Sequence, residues 1–146
     1  LVHAIKTWEK IADRESEIIV LLEPTSPFRN FLHVREAVQQ MKTDKFRSVV
    51  SVCPLERKPE NIFVKNNTLK KYIVNPNEKF NRRQDMQHLC RLNSAVYVAY
   101  TEDIIEHNSI LSAPIGYIEM SDTESINIDT LIDLELANIL AERENI

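Results

Sequence analysis

The chain has 146 residues, of which 43% are apolar and 27% are charged, a composition typical of one globular domain and unlike that of disordered proteins. Its net charge of -4 does not indicate binding to nucleic acid or to a membrane surface, and its longest apolar run, residues 18–22, is far shorter than the roughly 20 residues of a membrane span. The chain contains a single glycine, Gly116, where average usage predicts roughly ten, so both common glycine-rich phosphate loops are excluded from it.

The first third of the chain alternates helical and strand patterns. Apolar residues recur every three or four positions over 2–14, which predicts an amphipathic helix. Residues 18–22 are a continuous run of β-branched residues and leucine, typical of a strand buried on both faces of a parallel sheet. A loop at 23–30 leads into a predicted helix at 31–42 and a second buried strand at 48–53. This strand–helix–strand unit implies an α/β sandwich.

From residue 54 to residue 91 the pattern changes to short strands, at 62–64 and 72–74, separated by polar turn residues. This stretch is interpreted as an excursion from the main sheet. The remaining predicted elements are a strand at 94–100, a short helix at 102–107, a strand at 117–120 and an amphipathic helix at 131–143. The organisation predicted for residues 1–146 is a single domain with an inserted arm at 54–91.

The cysteines and the first residues bear on location and cofactors. Cys53 and Cys90 lie far apart, without the C-x-x-C spacing of a zinc site, and do not indicate a disulfide framework. The chain enters a helical pattern at once, with no initiator methionine and no signal-peptide layout. We therefore expect a chain that starts within a longer protein of the cytoplasm.

The first candidate site is the loop that follows the first strand, because open α/β sheets bind ligands at the carboxyl ends of their strands. Thr25 and Ser26 can hydrogen-bond a sugar or a base, two prolines hold them rigid, and Arg29 can face an anion. The alternative is a proline-fixed turn in which Arg29 is merely solvated.

A second candidate is the basic stretch Arg82-Arg83-Gln84-Asp85, followed by Arg91. Clustered arginines can bind a carboxylate or a phosphate in a bidentate way that lysine cannot match. The alternative is a solvated basic surface that is paired with Asp85 and neighbouring acids.

The third candidate lies before the last predicted helix. If residues 126–128 are extended, Asn127 and Asp129 emerge on one face and offer two oxygen donors, which suits Mg²⁺. The alternative is that Asp129 or Thr130 caps the helix, with Thr130 and Asp133 spaced as in a capping box.

Five segments that include these candidates occur in one family in the same order, and the match spans nearly the whole chain. They are Leu21–Arg29, Ser48–Val52, Arg82–Asp85, Asn93–Tyr97 and Ser125–Thr130. Together they resemble the acylneuraminate cytidylyltransferases, also called CMP-sialic acid synthetases. The resemblance implies transfer of CMP from CTP to an acidic nine-carbon sugar, with Mg²⁺ as cofactor and pyrophosphate as product.

The resemblance also implies a fold and a set of site residues. The fold is a Rossmann-like three-layer α/β/α nucleotidyltransferase sandwich around a mixed, mostly parallel sheet, with 54–91 as the dimerisation arm of a homodimer. The implied substrate-binding residues are Glu23, Thr25, Ser26, Arg83, Arg91, Asn93 and Tyr97, with Ile110 and Leu111 near the acyl substituent of the sugar. The implied catalytic residues are Asp129 and Arg83, and the implied metal ligands are Asp129 and Asn127.

The sequence departs from the family pattern at several positions. The family's Arg-x-Gly-Ser-Lys phosphate loop is absent from this chain. Asn127 stands where the family has its first metal aspartate, Glu23 where glutamine is common, Asn61 where a basic residue is frequent, and Ser94 where glycine is frequent. These changes favour, as the alternative function, a catalytically impaired fragment or a non-catalytic homologue that only dimerises or binds sugar.

Overall fold

The structure, a computed structural model, describes residues 1–43, 45–55, 62–65, 68–71 and 89–144. The chain divides into two compact units, of which one comprises Leu1–Cys53 and Leu92–Ile146 and the other Pro54–Arg91. Within the described stretches, every helix is too short or too polar to cross a lipid bilayer.

The described helices and strands follow the predicted order closely. They are α1 (Val2–Ala12), β1 (Ile18–Leu21), α2 (Phe31–Thr43), β2 (Ser48–Pro54), β3 (Phe63–Lys65), β4 (Leu69–Lys71), β5 (Cys90–Tyr100), α3 (Thr101–His107), β6 (Ile115–Glu119) and α4 (Leu131–Glu144). The mixed α/β class is thereby confirmed. The strand predicted at 72–74 lies outside the described residues, and β4 was not predicted.

The main sheet has the strand order β1-β5-β2-β6. β1 runs antiparallel to β5, with Leu21 opposite Tyr97, whereas β2 runs parallel to β6, with Val52 opposite Glu119. In the second unit, β3 and β4 form an antiparallel pair. The sheet is therefore mixed, as predicted, but the expectation of a mostly parallel sheet is wrong for the pairs described. Because β5 lies between β1 and β2, the strand–helix–strand unit does not place its two strands side by side.

Both apolar runs, at 18–22 and 48–53, are predicted to be buried strands, and this prediction is correct for one of them. Residues 48–53 of β2 are all buried. In contrast, Val20 and Leu22 on the first run are 37% and 39% exposed, and β5 is the neighbour of β1 in the described sheet. The prediction that β1 is buried on both faces is therefore wrong, because an apolar run alone does not distinguish a central strand from an edge strand.

Two apolar clusters pack the helices against the sheet. The first joins α2 to β2, β5 and β6 and includes Met41, Val98 and Ile118. The second joins α1 and α3 to β5 and includes Ile5 and Ala99. Because successive strand residues point to opposite faces, Val98 and Ala99 place the two clusters on opposite faces of the sheet.

The last helix, α4, does not have the amphipathic character predicted for it. Ala137 is 5% exposed, whereas Leu131 and Ile132 are 78% and 76% exposed, and Leu136 and Ile139 are about half exposed. The apolar side chains are thus distributed around the helix. The prediction of a helix is confirmed, but that of a single buried face is wrong.

The single glycine has a packing role in β6. A Cβ atom on Gly116 would lie 2.5 Å from Cδ2 of Phe46, and its backbone does not have a positive φ. The Phe46 ring packs against the first apolar cluster. Glycine is therefore required here because an aromatic ring lies directly on the strand, and not because of a left-handed turn.

The backbone of β5 departs from regular strand geometry at Ser94, and this irregularity is here called the bend of β5. Ser94 has a φ of 63°, a left-handed conformation that costs an L-residue energy, and the Oδ1 atom of Asn93 accepts a hydrogen bond of 3.3 Å from the N–H of Ala95. In a regular strand, residues three apart point to opposite faces, yet the Tyr97 hydroxyl lies 3.3 Å from the Ser94 hydroxyl. The bend therefore redirects the side chains of this part of β5.

Substitution Gly116→Ala should destabilise the chain by about 1–3 kcal/mol, because the added methyl overlaps the packed ring of Phe46. The measurement is the midpoint of urea unfolding. Combining Gly116→Ala with Phe46→Leu should recover part of the loss, because the smaller side chain makes room. An unchanged midpoint for Gly116→Ala alone would contradict this account of the glycine.

Substitution Ser94→Gly should stabilise the chain by about 0.5–1 kcal/mol, because relief of the left-handed strain exceeds the entropy that glycine adds to the unfolded chain. Thermal unfolding monitored by circular dichroism measures the change. Ser94→Ala is the control, since it removes the same hydroxyl and keeps the strained φ, and it should give no gain. Equal effects of the two substitutions would show that strain does not contribute.

Candidate functional site

Three of the five segments that carry the family resemblance meet at one edge of the main sheet. The loop at 22–30 leaves β1 at Leu21, which pairs with Tyr97 of β5. The segment of residues 121–129, here called the 121–129 segment, follows β6. The N–H of Ile128 donates a 2.8 Å hydrogen bond to the carbonyl oxygen of Thr25. The loop, the bend of β5 and the 121–129 segment therefore lie together.

Arg29 fixes the loop to the sheet. Its Nη1 atom donates hydrogen bonds of 2.9 Å to the carbonyl oxygens of Glu23 and Ala95. The sequence alternatives were that Arg29 faces an anion or is merely solvated. In the structure, the guanidinium group instead links the loop to β5 through these two hydrogen bonds. A sequence pattern does not reveal this role, because the acceptors are backbone atoms.

The predicted sugar-binding residues of the loop differ in burial. Glu23 and Thr25 are half-buried, whereas Ser26 is 3% exposed. Among the described residues, the Ser26 hydroxyl has no hydrogen-bond partner. A buried hydroxyl without a partner costs free energy, which a polar ligand could recover. The assignment of these three residues to sugar binding stays a prediction.

Asn93 and Tyr97 lie on either side of the bend in β5. Asn93 is 2% exposed, and its Nδ2 atom donates a 2.8 Å hydrogen bond to the hydroxyl of Ser125, which is also 2% exposed. Tyr97 is half-buried. The structure thus directs the Asn93 amide towards the 121–129 segment, whereas Tyr97 keeps part of its surface open.

The predicted arginine cluster is only partly described. Arg82 and Arg83 lie outside the described residues, so the role of Arg83 in substrate binding and catalysis stays a prediction. Arg91 belongs to the second unit, and its side chain is exposed. Its role in binding an anionic group likewise stays a prediction.

Asn127 and Asp129, the predicted metal ligands, are in contact. The Nδ2 atom of Asn127 donates a 2.8 Å hydrogen bond to Oδ2 of Asp129, although residues 126–128 do not form a strand. The Oδ1 atom of Asn127 is buried and has no partner in the described part of the chain. The Asp129 side chain is exposed. The pair therefore combines a buried amide oxygen, unpaired within the described residues, with an exposed carboxylate.

The cap of α4 is provided by Thr130 and Asp133. Oδ2 of Asp133 accepts 2.8 Å hydrogen bonds from the N–H and the hydroxyl of Thr130, and the N–H of Asp133 donates to that hydroxyl at 3.3 Å. The Thr130 hydroxyl, aided by the Thr130 N–H, holds the pKa of Asp133 below its usual value. The predicted capping box is confirmed. Because Thr130 and Asp133 form it, the carboxylate of Asp129 takes no part in the cap.

The side-chain oxygen atoms of Asn127 and Asp129 are compatible with one kind of metal site. In the described residues, no group of three or more histidine, cysteine, aspartate or glutamate side chains is placed to hold a metal ion, so an all-protein cage does not fit. Mg²⁺ commonly takes one or two protein carboxylates and fills its other positions with water and substrate phosphates. Asp129 and the unused Oδ1 of Asn127 fit such a substrate-completed site.

A contact between the side chains of His33 and Glu124 also holds the 121–129 segment, and it was not predicted from the sequence. The Nε2 atom of His33 on α2 lies 3.2 Å from Oε1 of Glu124, and Oε2 of Glu124 accepts hydrogen bonds from the hydroxyl and N–H of Ser121. The Ser121 hydroxyl, together with its N–H and His33, holds the pKa of Glu124 below its usual value. The Ser-x-x-Glu spacing of Ser121 and Glu124 is a signal that could have indicated this turn.

Comparison with known proteins gives several relatives. The chain is 37% identical over 131 residues to the CMP-N,N'-diacetyllegionaminic acid synthase of Legionella pneumophila, a match that covers 85% of this chain and 53% of that protein. It is 29% identical over 123 residues to the N-acylneuraminate cytidylyltransferase of Streptococcus agalactiae serotype III, covering 82% of this chain and 29% of that protein. No protein-family profile matches the chain.

A third relative is the N-acylneuraminate cytidylyltransferase of Escherichia coli O18:K1:H7, which is 29% identical over 133 residues, covering 88% of this chain and 31% of that protein. The chain thus spans about half of the length of the first relative and about a third of the others. The resemblance carried by the five segments is confirmed, and over most of its own length the chain is a homologue of the acylneuraminate cytidylyltransferases.

Proposed function

We propose that this chain supplies the sugar side and the metal side of an active site that transfers CMP from CTP to an acidic nine-carbon sugar. The relative with 37% identity is named a synthase of a CMP-linked legionaminic acid, and two others are named N-acylneuraminate cytidylyltransferases. The observation that carries the proposal is the hydrogen bond between Ile128 and Thr25, which joins the candidate sugar loop to the candidate metal pair.

The reaction requires an in-line displacement at the α-phosphorus of CTP. The anomeric hydroxyl of the sugar loses its proton to water and its oxygen bonds to the α-phosphorus, while the bond from that phosphorus to the bridging oxygen breaks and pyrophosphate leaves. The rate depends on holding the sugar hydroxyl close to and in line with the phosphorus. In this proposal Thr25, Ser26 and the half-buried Tyr97 orient the sugar. The buried, unpartnered hydroxyl of Ser26 supports this role because a sugar hydroxyl would pair it.

Asn127 and Asp129 are the residues that would hold Mg²⁺. When bound, the ion would neutralise charge on the α-phosphate and orient it for attack. Its two protein donors would be the Oδ1 of Asn127, which is otherwise unused in the described chain, and the carboxylate of Asp129. Arg83 and Arg91 are proposed, from the family resemblance, to bind anionic groups of the sugar or of CTP.

The finer features of the architecture belong to the same proposal. The two apolar clusters pack helices against both faces of the main sheet, which supports a Rossmann-like nucleotidyltransferase sandwich. The separate unit Pro54–Arg91 is proposed as the dimerisation arm of a homodimer that acts in the cytoplasm.

Pyrophosphate release tests the proposed activity. The complete gene product that contains this chain should release pyrophosphate from CTP in the presence of Mg²⁺ and either N,N'-diacetyllegionaminate or N-acetylneuraminate. Omitting the sugar is the control, and release should then fall to background. Background release with both sugars at saturating CTP would contradict the proposal and favour a non-catalytic homologue.

Substitution Asn127→Asp tests the metal assignment. A second carboxylate within 2.8 Å of Asp129 should tighten Mg²⁺ binding and, without the ion, destabilise the protein by charge repulsion. Calorimetric Mg²⁺ titration and thermal unfolding with and without Mg²⁺ measure the two effects. Unchanged Mg²⁺ binding would show that position 127 does not contact the ion.

A further inference from the structure

Asn93 and Ser125 are the most deeply buried polar residues at the candidate site. Asn93 and Ser125 are each 2% exposed, and the 2.8 Å hydrogen bond from Nδ2 of Asn93 to the Ser125 hydroxyl joins them. Oδ1 of Asn93 accepts a second hydrogen bond, of 3.3 Å, from the N–H of Ala95. Both polar atoms of this amide are therefore engaged with the protein itself.

The partner of that amide lies in a segment with no regular secondary structure. The 121–129 segment begins after Met120, whose N–H bonds to the carbonyl oxygen of Val52, and ends at the cap of α4. Between these ends, Ser125 is the buried residue of the segment, and Asn127 and Asp129 follow it within four positions. The position of the metal pair thus depends on where Ser125 is held.

Three contacts from outside the segment hold its second half, and two of them come from the candidate sugar side. These two are the Asn93 side chain on Ser125 and the carbonyl oxygen of Thr25 on the N–H of Ile128. The third is Oδ2 of Asp133, which accepts a 3.2 Å hydrogen bond from the N–H of Asp129. The Asn93 contact is a short hydrogen bond between two buried side chains, and it holds the chain two residues before Asn127.

We propose that Asn93 and Ser125 are positioning residues that hold Asn127 and Asp129 in the geometry needed to bind the metal ion. This inference rests on the proposed function for the identity of the ligand. It changes the role of Asn93 from a residue that contacts sugar to one that acts through Ser125 on the metal pair. Residues that orient metal ligands contribute strongly to metal affinity, and their loss typically weakens it 10–100-fold.

The chain contains a matched control for this proposal. Ser51 in β2 is 1% exposed, and its hydroxyl is hydrogen-bonded to the N–H and the carbonyl oxygen of Val96. Substitution Ser51→Ala therefore removes a buried, hydrogen-bonded hydroxyl from the same sheet without removing a contact to the 121–129 segment. A purely structural role for Ser125 predicts that Ser51→Ala and Ser125→Ala behave alike.

The test is the binding of Mn²⁺ to the complete gene product with a fixed concentration of a non-hydrolysable CTP analogue, followed through the electron paramagnetic resonance signal of the free ion and corrected for the Mn²⁺ that the analogue binds alone. Ser125→Ala and Asn93→Ala should each raise the dissociation constant for Mn²⁺ by about 10–100-fold, and Ser51→Ala should leave it unchanged. The double variant should bind no more weakly than the weaker single variant, because both changes remove one contact. If Asn93→Ala folds poorly, Ser125→Ala, which removes a single oxygen atom, decides the test.

Wild-type affinity in Ser125→Ala, equal weakening in Ser51→Ala, or no Mn²⁺ binding by the wild type would each overturn the inference. The pyrophosphate assay separates this failure from failure of the proposed function. A wild type that releases pyrophosphate, with a Ser125→Ala variant of normal metal affinity, contradicts the positioning role alone. A wild type without sugar-dependent pyrophosphate release contradicts the proposed function itself.

Discussion

The buried hydrogen bond between Asn93 and Ser125 is the contact on which the candidate site depends. An amide and a hydroxyl that are both withdrawn from water must find partners within the protein, because leaving either unpaired costs about 1–3 kcal/mol. Here each satisfies the other across two parts of the chain that are 32 positions apart. The requirement to pair them holds an irregular segment against a strand, and this segment carries Asn127 and Asp129, the pair proposed to bind the metal ion.

The structure assigns helix capping and the proposed metal binding to different residues, whereas the sequence left both roles open for Asp129. Helix capping and metal binding compete for Asp129 only if Asp129 is the cap. Thr130 and Asp133 form the cap between them, so the Asp129 carboxylate accepts a hydrogen bond from Asn127 and is otherwise accessible. Asn127 and Asp129 together carry one negative charge, whereas two aspartates would carry two. In the proposed site, binding of a cation therefore relies more on oxygen atoms from the substrate.

The regular elements were largely predictable because they follow from residue patterns with a known period. The helix at 31–42 and the buried strand at 48–53 are found within one residue of their expected ends. The place of β1 in the sheet was not predictable, because its apolar run suits a central or an edge strand equally well. β1 pairs with β5 through residues about 80 positions apart and has no second neighbour in the described sheet, and neither fact can be read from an apolar run.

The structure brings together several residues that the family resemblance singled out, and the contacts of their side chains were not predictable from the sequence. Glu23, Asn93 and Asp129 could be identified from the family resemblance, but contacts that give side chains their roles are made with distant backbone atoms or single serines. Arg29 illustrates this, since both of its acceptors are carbonyl oxygens. Ser94 illustrates a related point, because only the backbone reveals that a serine occupies a left-handed conformation where the family often has glycine.

The most direct test of this account is an anomalous difference map from crystals of the complete gene product grown with Mn²⁺ and a non-hydrolysable analogue of CTP. The account predicts a Mn²⁺ peak bonded to Oδ1 of Asn127 and the carboxylate of Asp129, with the Asn93 amide still on Ser125. A peak held entirely by other residues, or an Asn93 amide turned from Ser125 onto a bound ligand, would contradict it.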